Sequence, residues 1–308
     1  LGMLNSGLQI FWLKHQPPTT FSKIRKSLHF PQYCSFIFSN TYVSEFTSIG
    51  CHTAMWDMGK NDYHEWVKSE KIDLLLAPIK KEHLNGFTSF RDKQIPVGTG
   101  LHDSSAALIP YFDRIKEPFL LLSTGTWCIT LNPFAKQLLT KEELLKDCLN
   151  YMTFEGKQVK ASRLFLGNFH EVFTKMFAGH YFKPKDFFKS VAFDRSLLEK
   201  VKPKPHILKD KINPEAYFRA TDLDNFDTYE EAYHRLLLDM ADFQVEYVLL
   251  AGENLSSGTK KLYVDGGFSK NILFMELLRE KLPQLQVEAF DIAQGTSLGG
   301  ALVMRPYV

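Results

Sequence analysis

The spacing of apolar positions changes along the chain, and the changes mark its parts. At the front, Leu8, Ile10, Phe11, Trp12 and Leu13 form a run that stops at Pro17-Pro18. This predicts a helix over Leu1–His15 closed by prolines. Thr20 is placed to cap a second helix, Phe21–His29, which ends before Pro31, and Tyr33–Phe38 reads as a further short helix. Asn40–Phe46 is a polar linker or strand edge, and Thr47–Asp57 is a mixed stretch of small residues. Asp62–Ser69 reads as a helix anchored by Trp66, and Lys71–Pro78 as a helix end. Ile95–Val97 is a short strand leading into a loop with Gly98 and Gly100. Asp103–Phe112 is apolar nearly all round and predicts a buried helix, with Asp103 or Ser104 as its cap.

Phe119–Ser123 and Cys128–Leu131 are apolar runs on either side of Gly125, the pattern of a hairpin. Thr140 with Glu143 makes a capping box and opens a helix read over Thr140–Tyr151. Lys157–Leu166 is extended and Asn168–Gly179 helical, while Asn213–Leu223 carries no clear period. The clearest helix is Thr228–Leu250, where Ala232, Leu236, Met240, Phe243 and Tyr247 form a stripe behind a second capping box, Thr228 with Glu231. Strand Lys261–Val264, helix Asn271–Leu282, strand Leu285–Ala289 and a small-residue helix Ser297–Met304 complete the chain. A helical front, a hairpin and strand–helix alternation behind them predict an α/β fold with mixed sheets.

Composition narrows the function more than the fold. With 308 residues and 44% hydrophobic content, the chain can bury one large or two medium cores. Its net charge is +2 with the basic residues dispersed, which argues against nucleic-acid and membrane-surface binding. Cys34, Cys51, Cys128 and Cys148 form no CxxC pair and read as free thiols in a reducing, cytoplasmic setting. No apolar run has the length of a membrane span. The ten histidines are scattered without HxH or HExxH, so a histidine metal site is not indicated.

Two stretches carry candidate chemistry. The loop before the buried helix presents Asp103 between His102 and Ser104, behind two glycines that let a ligand approach. Asp103 taken alone is as readily a helix cap as a proton acceptor. About twenty residues on, the strand over Phe119–Ser123 runs into Gly125-Thr126, where backbone and hydroxyl can meet a phosphate, with Ser123 and Thr124 as further donors. As a lone motif this is an ordinary hairpin tip. Asp265-Gly266-Gly267 sits between a strand and a helix, where a plain turn is the slightly stronger reading; the third glycine of a dinucleotide fingerprint is missing. The run Gln294–Ala301 is small enough to favour close helix packing, with ligand contact second. A base and a phosphate turn in one segment suggest phosphoryl transfer to an alcohol.

In order, Asn5–Lys14 (NSGLQIFWLK), Gly100–Ala107 (GLHDSSAA), Ser123–Trp127 (STGTW) and Tyr263–Asn271 (YVDGGFSKN) with Gln294–Ala301 resemble the motifs of the FGGY carbohydrate kinases. The ordered set covers nearly the whole chain and is far more specific than any member. The resemblance implies the actin/hexokinase-like (ribonuclease H-like) two-domain ATPase fold, with residues 1–116 as the rear of the sugar-binding domain and 117–308 as the nucleotide-binding domain. It implies ATP and Mg²⁺ as cofactors, a small-molecule sugar as substrate and no nucleic-acid or membrane partner, and it leaves a homodimer open. Asp103 would be the general base, with His102, Ser104 and Asn5 at the sugar. Gly125 and Thr126 would hold the β- and γ-phosphates, Gly266, Gly267 and Phe268 would face the nucleotide, and Asn271 would lie near the adenine. Mg²⁺ would bridge phosphate oxygens and reach Asp103 through water.

The Trp after Gly-Thr and the His before the base are most similar to the rhamnulokinase and L-fuculokinase branches, which implies a deoxyketose or related ketose; glycerol and xylulose kinases differ there. One departure stands out. The family's opening Asp-x-Gly-Thr phosphate motif is absent, so the chain reads as an N-terminally incomplete kinase with the first domain only partly present, inactive by itself. The alternative is a non-catalytic sugar- or nucleotide-binding regulator, or pseudokinase, of the same fold. An Hsp70-like or actin-like ATPase does not account for the Asp103 segment.

Overall fold

The computed structural model describes residues 5–16, 20–209, 221–255, 258–290 and 292–308. The uncertain segment Asn213–Leu223 lies largely outside them. The chain divides into two compact units. Unit 1 comprises Leu1–Glu117, Asn150–Val159 and Ile292–Val308, and unit 2 comprises Pro118–Leu149 and Lys160–Asp291.

Unit 1 opens with α1 (Ser6–His15), α2 (Phe30–Ser39) and the one-turn helix α3 (Phe46–Ile49). Gly7 lets α1 lie flush on the segment behind α3: a Cβ there would stand 2.4 Å from the Met55 side chain and 2.5 Å from the Thr53 carbonyl. The helix expected over Phe21–His29 does not form. A single 3₁₀ turn, Phe21–Lys23, is followed by extended chain, and Ser27 donates its N–H to Leu75 O at 2.9 Å. A cross-chain partner for the backbone outweighs the local helical pattern here. Pro31, read as a stop, occupies the first turn of α2, where its missing N–H costs nothing. Strands β1 (Trp56–Asp57) and β2 (Asp62–Tyr63) form a small ribbon, and α4 (Glu65–Ser69) follows. The helix end read at Lys71–Pro78 is one 3₁₀ turn, Asp73–Leu75.

A hairpin of β3 (Leu84–Phe90) and β4 (Lys93–Gly98) comes next, of which the sequence showed only the second half. Its turn, Arg91-Asp92, has positive φ at both residues, the primed-turn geometry usually held by Asn-Gly. The buried helix is α5 (Asp103–Arg114), with Pro110 inside it.

Unit 2 is built on β5 (Phe119–Thr124) and β6 (Cys128–Asn132), the expected hairpin. The capping box of α6 (Lys141–Leu145) is present, with both hydrogen bonds made. The helix stops early, however, and Cys148–Met152 is strand β7 rather than helix; its residues from Asn150 on, and the first two of the next strand, are grouped with unit 1. Then come β8 (Gln158–Leu164), α7 (Leu166–His180), α8 (Arg195–Val201) and the long α9 (Tyr229–Ala251). Thr228 caps α9, but the Glu231 carboxylate binds Lys200, Lys204 and the Asp227 N–H instead of closing a box. Strand β9 (Lys261–Gly266), α10 (Ile272–Lys281) and β10 (Gln286–Ala289) complete the unit.

One mixed sheet runs β10-β9-β5-β6-β8-β7, parallel through β10, β9 and β5 and antiparallel at β5–β6–β8. In its two inner parallel strands, Phe119–Leu122 and Leu262–Val264 are buried, which is why they read as unbroken apolar runs. The apolar faces of α7, α9 and α10 cover it in the largest core of the described residues.

The last helix, α11 (Gly295–Met304), belongs to unit 1 and lies along α5. A Cβ on Gly299 would fall 1.9 Å from Ala106 O, so the two backbones touch; one on Gly300 would meet nothing within 4 Å. The packing reading of Gln294–Ala301 therefore holds. Gly299→Ala is expected to destabilise the protein by about 1–3 kcal/mol through overpacking. Gly300→Ala should be neutral or stabilise slightly through helix propensity. Urea unfolding of both variants checks this, and equal effects would refute the close contact.

Candidate functional site

Two clusters contain the residues singled out from sequence, one in each unit. In unit 2, the parallel register sets Ser123 beside Asp265 and Thr124 beside Gly266. The contact is as close as backbone allows. Gly266 has φ +88°, and a Cβ on it would lie 1.9 Å from Thr124 O. The Thr124 hydroxyl donates to Asp265 O at 2.5 Å and accepts the Phe268 N–H at 3.0 Å. Both valences are internal, so Thr124 is the joint between the two glycine segments and not a ligand donor; Ser123 and Thr126 remain exposed.

Gly125 spends its N–H on Trp127 O at 2.9 Å, so what it contributes is close approach. Gly167, at the start of α7, presses on the same turn: its Cβ would stand 1.9 Å from Gly125 O. These constraints leave a pocket of about 640 Å³ beside the turn. Thr124, Gly125, Thr126, Gly267, Phe268 and Asn271 all contribute to its lining.

The far wall was not foreseen. His170 of α7 stacks edge-on against Phe268 with centroids 5.1 Å apart. Asn271 caps α10 through Oδ1 to the Phe274 N–H and donates Nδ2 to Tyr233 Oη at 2.7 Å. Tyr233 Oη lies 3.0 Å from His170 Nε2. Burial pushes the His170 pKa down to about 4, so the ring is neutral near pH 7. Asn271, Tyr233 and His170 are thus linked in one hydrogen-bonded chain along this wall. Lys189 and Lys270 also line the pocket, and Glu171, the acid among them, is paired with Lys175 at 2.6 Å. The lining is thus biased toward a polyanion. His170 carried no motif; only its position one helical turn past Gly167 could have drawn attention.

In unit 1, Asp103 is the first residue of α5, with His102 as the N-cap position. Asp103 does not cap the helix: Oδ1 accepts from Ser104 N at 2.6 Å, and the side chain is 77% exposed. His102 Nδ1 lies 3.4 Å from Asp103 Oδ1 without hydrogen-bond alignment. Burial lowers the His102 pKa, with Asp103 opposing, and its ring stacks on Tyr151 at 6.1 Å. Thr296 of α11 donates to Asp103 O at 3.4 Å. Asn5 precedes α1 at its N-cap position without a side-chain cap bond. No three His, Cys, Asp or Glu side chains cluster as a metal site among the described residues. Nor is any helix there long and apolar enough to cross a membrane.

Residues 116–307 match the family model described as "Carbohydrate kinase FGGY, C-terminal domain". Among solved structures, a carbohydrate kinase from Novosphingobium aromaticivorans is similar over 98% of this chain and 68% of its own, at 23% identity and TM-score 0.76. A xylulose kinase from Rhodospirillum rubrum is similar over 97% and 62%, at 13% and 0.72. A glycerol kinase with ADP from Plasmodium falciparum is similar over 96% and 62%, at 16% and 0.64. The chain thus spans about two thirds of the length of these proteins. No curated protein matches it. The likenesses establish the fold as actin/hexokinase-like.

Because the folded pKa of His170 is below its ordinary 6.5, the unfolded chain takes up the proton first. Stability is therefore expected in full above pH 6.5 and to fall as pH drops toward 4. Half-buried His29, also lowered to about 4 by desolvation, adds to the same window. Melting temperatures across it should fall less steeply in His170→Gln. An unchanged slope in that variant would contradict a buried neutral ring.

Proposed function

This chain belongs to the FGGY carbohydrate kinase family, and we propose that it serves ATP-dependent phosphorylation of a sugar hydroxyl, with Asp103 as general base. The observation that carries this reading is that one pocket in unit 2 is lined by both the Gly125-Thr126 turn and the Gly267-Phe268-Asn271 segment. Two segments far apart in sequence converge there, beside Lys189 and Lys270, whose charge favours a polyanion.

In this reading residues 117–308 bind nucleotide and 1–116 bind sugar. Gly125 and Thr126 face the β- and γ-phosphates, with the exposed Thr126 hydroxyl as donor. Gly266 and Gly267 let the nucleotide lie against backbone. Phe268 and Asn271 form the wall near the adenine; the Asn271 amide, bonded at both ends, shapes that wall and leaves recognition to its neighbours. Mg²⁺ enters with ATP as part of the substrate, neutralising phosphate charge, and an exposed carboxylate at Asp103 suits contact with it through water. Asp103 takes the proton from the attacking hydroxyl, while His102, Ser104 and Asn5 position the sugar. Transfer of this kind depends on positioning and charge neutralisation, with one carboxylate to orient the nucleophile. A neutral His102 suits an uncharged polyol, and with Trp127 it favours a ketose of the rhamnulokinase or L-fuculokinase type. The setting is cytoplasmic.

A coupled assay of the full-length protein against ketoses and polyols tests this. Asp103→Asn is expected to lower kcat by about 10²–10⁴-fold and to leave the ATP dissociation constant within about twofold. Near-normal turnover would remove Asp103 from the role. In unit 2, Gly267→Ala adds a methyl that meets no protein atom within 4 Å. It should leave the melting temperature unchanged yet weaken ADP binding by calorimetry about tenfold or more; unaltered affinity would put the nucleotide elsewhere.

A further inference from the structure

Beneath the Asp103 loop lies a set of buried polar groups that phosphoryl transfer itself does not use. Glu45 is 1% exposed, and Gln32 and Thr47 are fully buried. A buried carboxylate is costly unless its hydrogen bonds are made. Those of Glu45 are made: Oε2 accepts the Thr47 N–H at 2.7 Å, and Oε1 accepts the Ser48 N–H and the Thr47 hydroxyl, both at 2.6 Å. Burial raises its pKa, and these donors offset only part of that rise. Capping a single helical turn does not call for a fully buried acid, since an exposed Ser or Asp caps as well.

What distinguishes the arrangement is where the Thr47 hydroxyl turns next. Its one proton goes to Glu45, so a lone pair is left to accept the His102 N–H, at 2.8 Å. Gln32 Nε2 meanwhile donates to Gly100 O at 2.9 Å and Thr99 O at 3.2 Å. Ser35 Oγ donates to Gly98 O at 2.6 Å, and Thr99 donates its N–H to His83 O at 2.9 Å. Gly100, at φ +80°, runs so close to α2 that a Cβ would lie 2.4 Å from Pro31 O. Every residue of the loop from Gly98 to His102 except Leu101 is thus pinned through its backbone, and the last pin lies one residue before Asp103.

We infer that Glu45 and Thr47, with Gln32 beside them, are positioning residues that fix the backbone from which Asp103 projects. They touch no substrate. They fix the backbone point from which the carboxylate starts, and the Ser104 N–H on Oδ1 restrains its remaining torsions. The catalytic consequence rests on the kinase reading above; the tether itself does not.

Thr47→Val and Thr47→Ser in the full-length protein separate the possibilities. Valine keeps the shape and deletes the hydroxyl, while serine keeps the hydroxyl. Amide exchange followed by mass spectrometry over residues 98–104 reads the tether, and steady-state kinetics read its effect. Thr47→Val is expected to speed exchange in that segment at least tenfold and to cut kcat about tenfold, because small misplacements of a reacting group are expensive. Its ATP dissociation constant should stay within about twofold. Thr47→Ser should restore both readouts, and Glu45→Gln should follow the valine variant. Unchanged exchange in Thr47→Val, or valine and serine variants behaving alike, would overturn the inference. If exchange responds as expected but the wild-type protein phosphorylates no sugar or polyol, the kinase reading falls and the tether stands.

Discussion

The contact between Thr124 and Gly266 is the constraint on which the turns of unit 2 depend. Two parallel strands end at the same level, and their backbones meet where any side chain on residue 266 would collide with a carbonyl. One hydroxyl then closes the joint, giving its proton to Asp265 O and accepting the Phe268 N–H. The turn after β5 and the turn after β9 therefore have a fixed spacing before any ligand arrives. The spacing is held by bonds internal to the fold.

Much of this was legible in the sequence, because the signals were local. The strands FLLLS and KLYV announce themselves by continuous apolar character, the long α9 by its stripe, and the turns by glycine. The ordered motifs then picked out the family. What failed depended on partners distant in the chain. Phe21–His29 has a helical pattern, yet Ser27 bonds to Leu75 instead. Thr140–Tyr151 has a sound cap, but the sheet takes Cys148–Met152 as an edge strand. The hairpin turn Arg91-Asp92 lacks the glycine that usually signals such a turn.

In the two clusters the same division holds. Asp103, Gly125, Thr126, Gly266, Gly267, Phe268 and Asn271 stand in motifs, and the motifs are what singled them out. His170, Tyr233, Glu45 and Thr47 matter through tertiary contact, and a lone His or Thr in a helical segment carries no mark of it. Of Ser123 and Thr124, both read as further donors, Thr124 is not available to a ligand. Alternation along the strand places one outward and the other inward, and the inward one is consumed by the fold.

Pro110 inside α5 has a consequence for how the chain's last helix is held. Proline has no N–H to return to the carbonyl four residues back, and that carbonyl belongs to Ala106. It is the same oxygen against which Gly299 of α11 lies. The defect in one helix and the missing side chain in the other are therefore complementary halves of one contact, in which a Cα–H can approach an oxygen that its own helix leaves unbonded on that side. Neither residue is explained alone. A change at either position alters the value of the other, so the pair is expected to vary together or not at all among chains that retain this helix crossing.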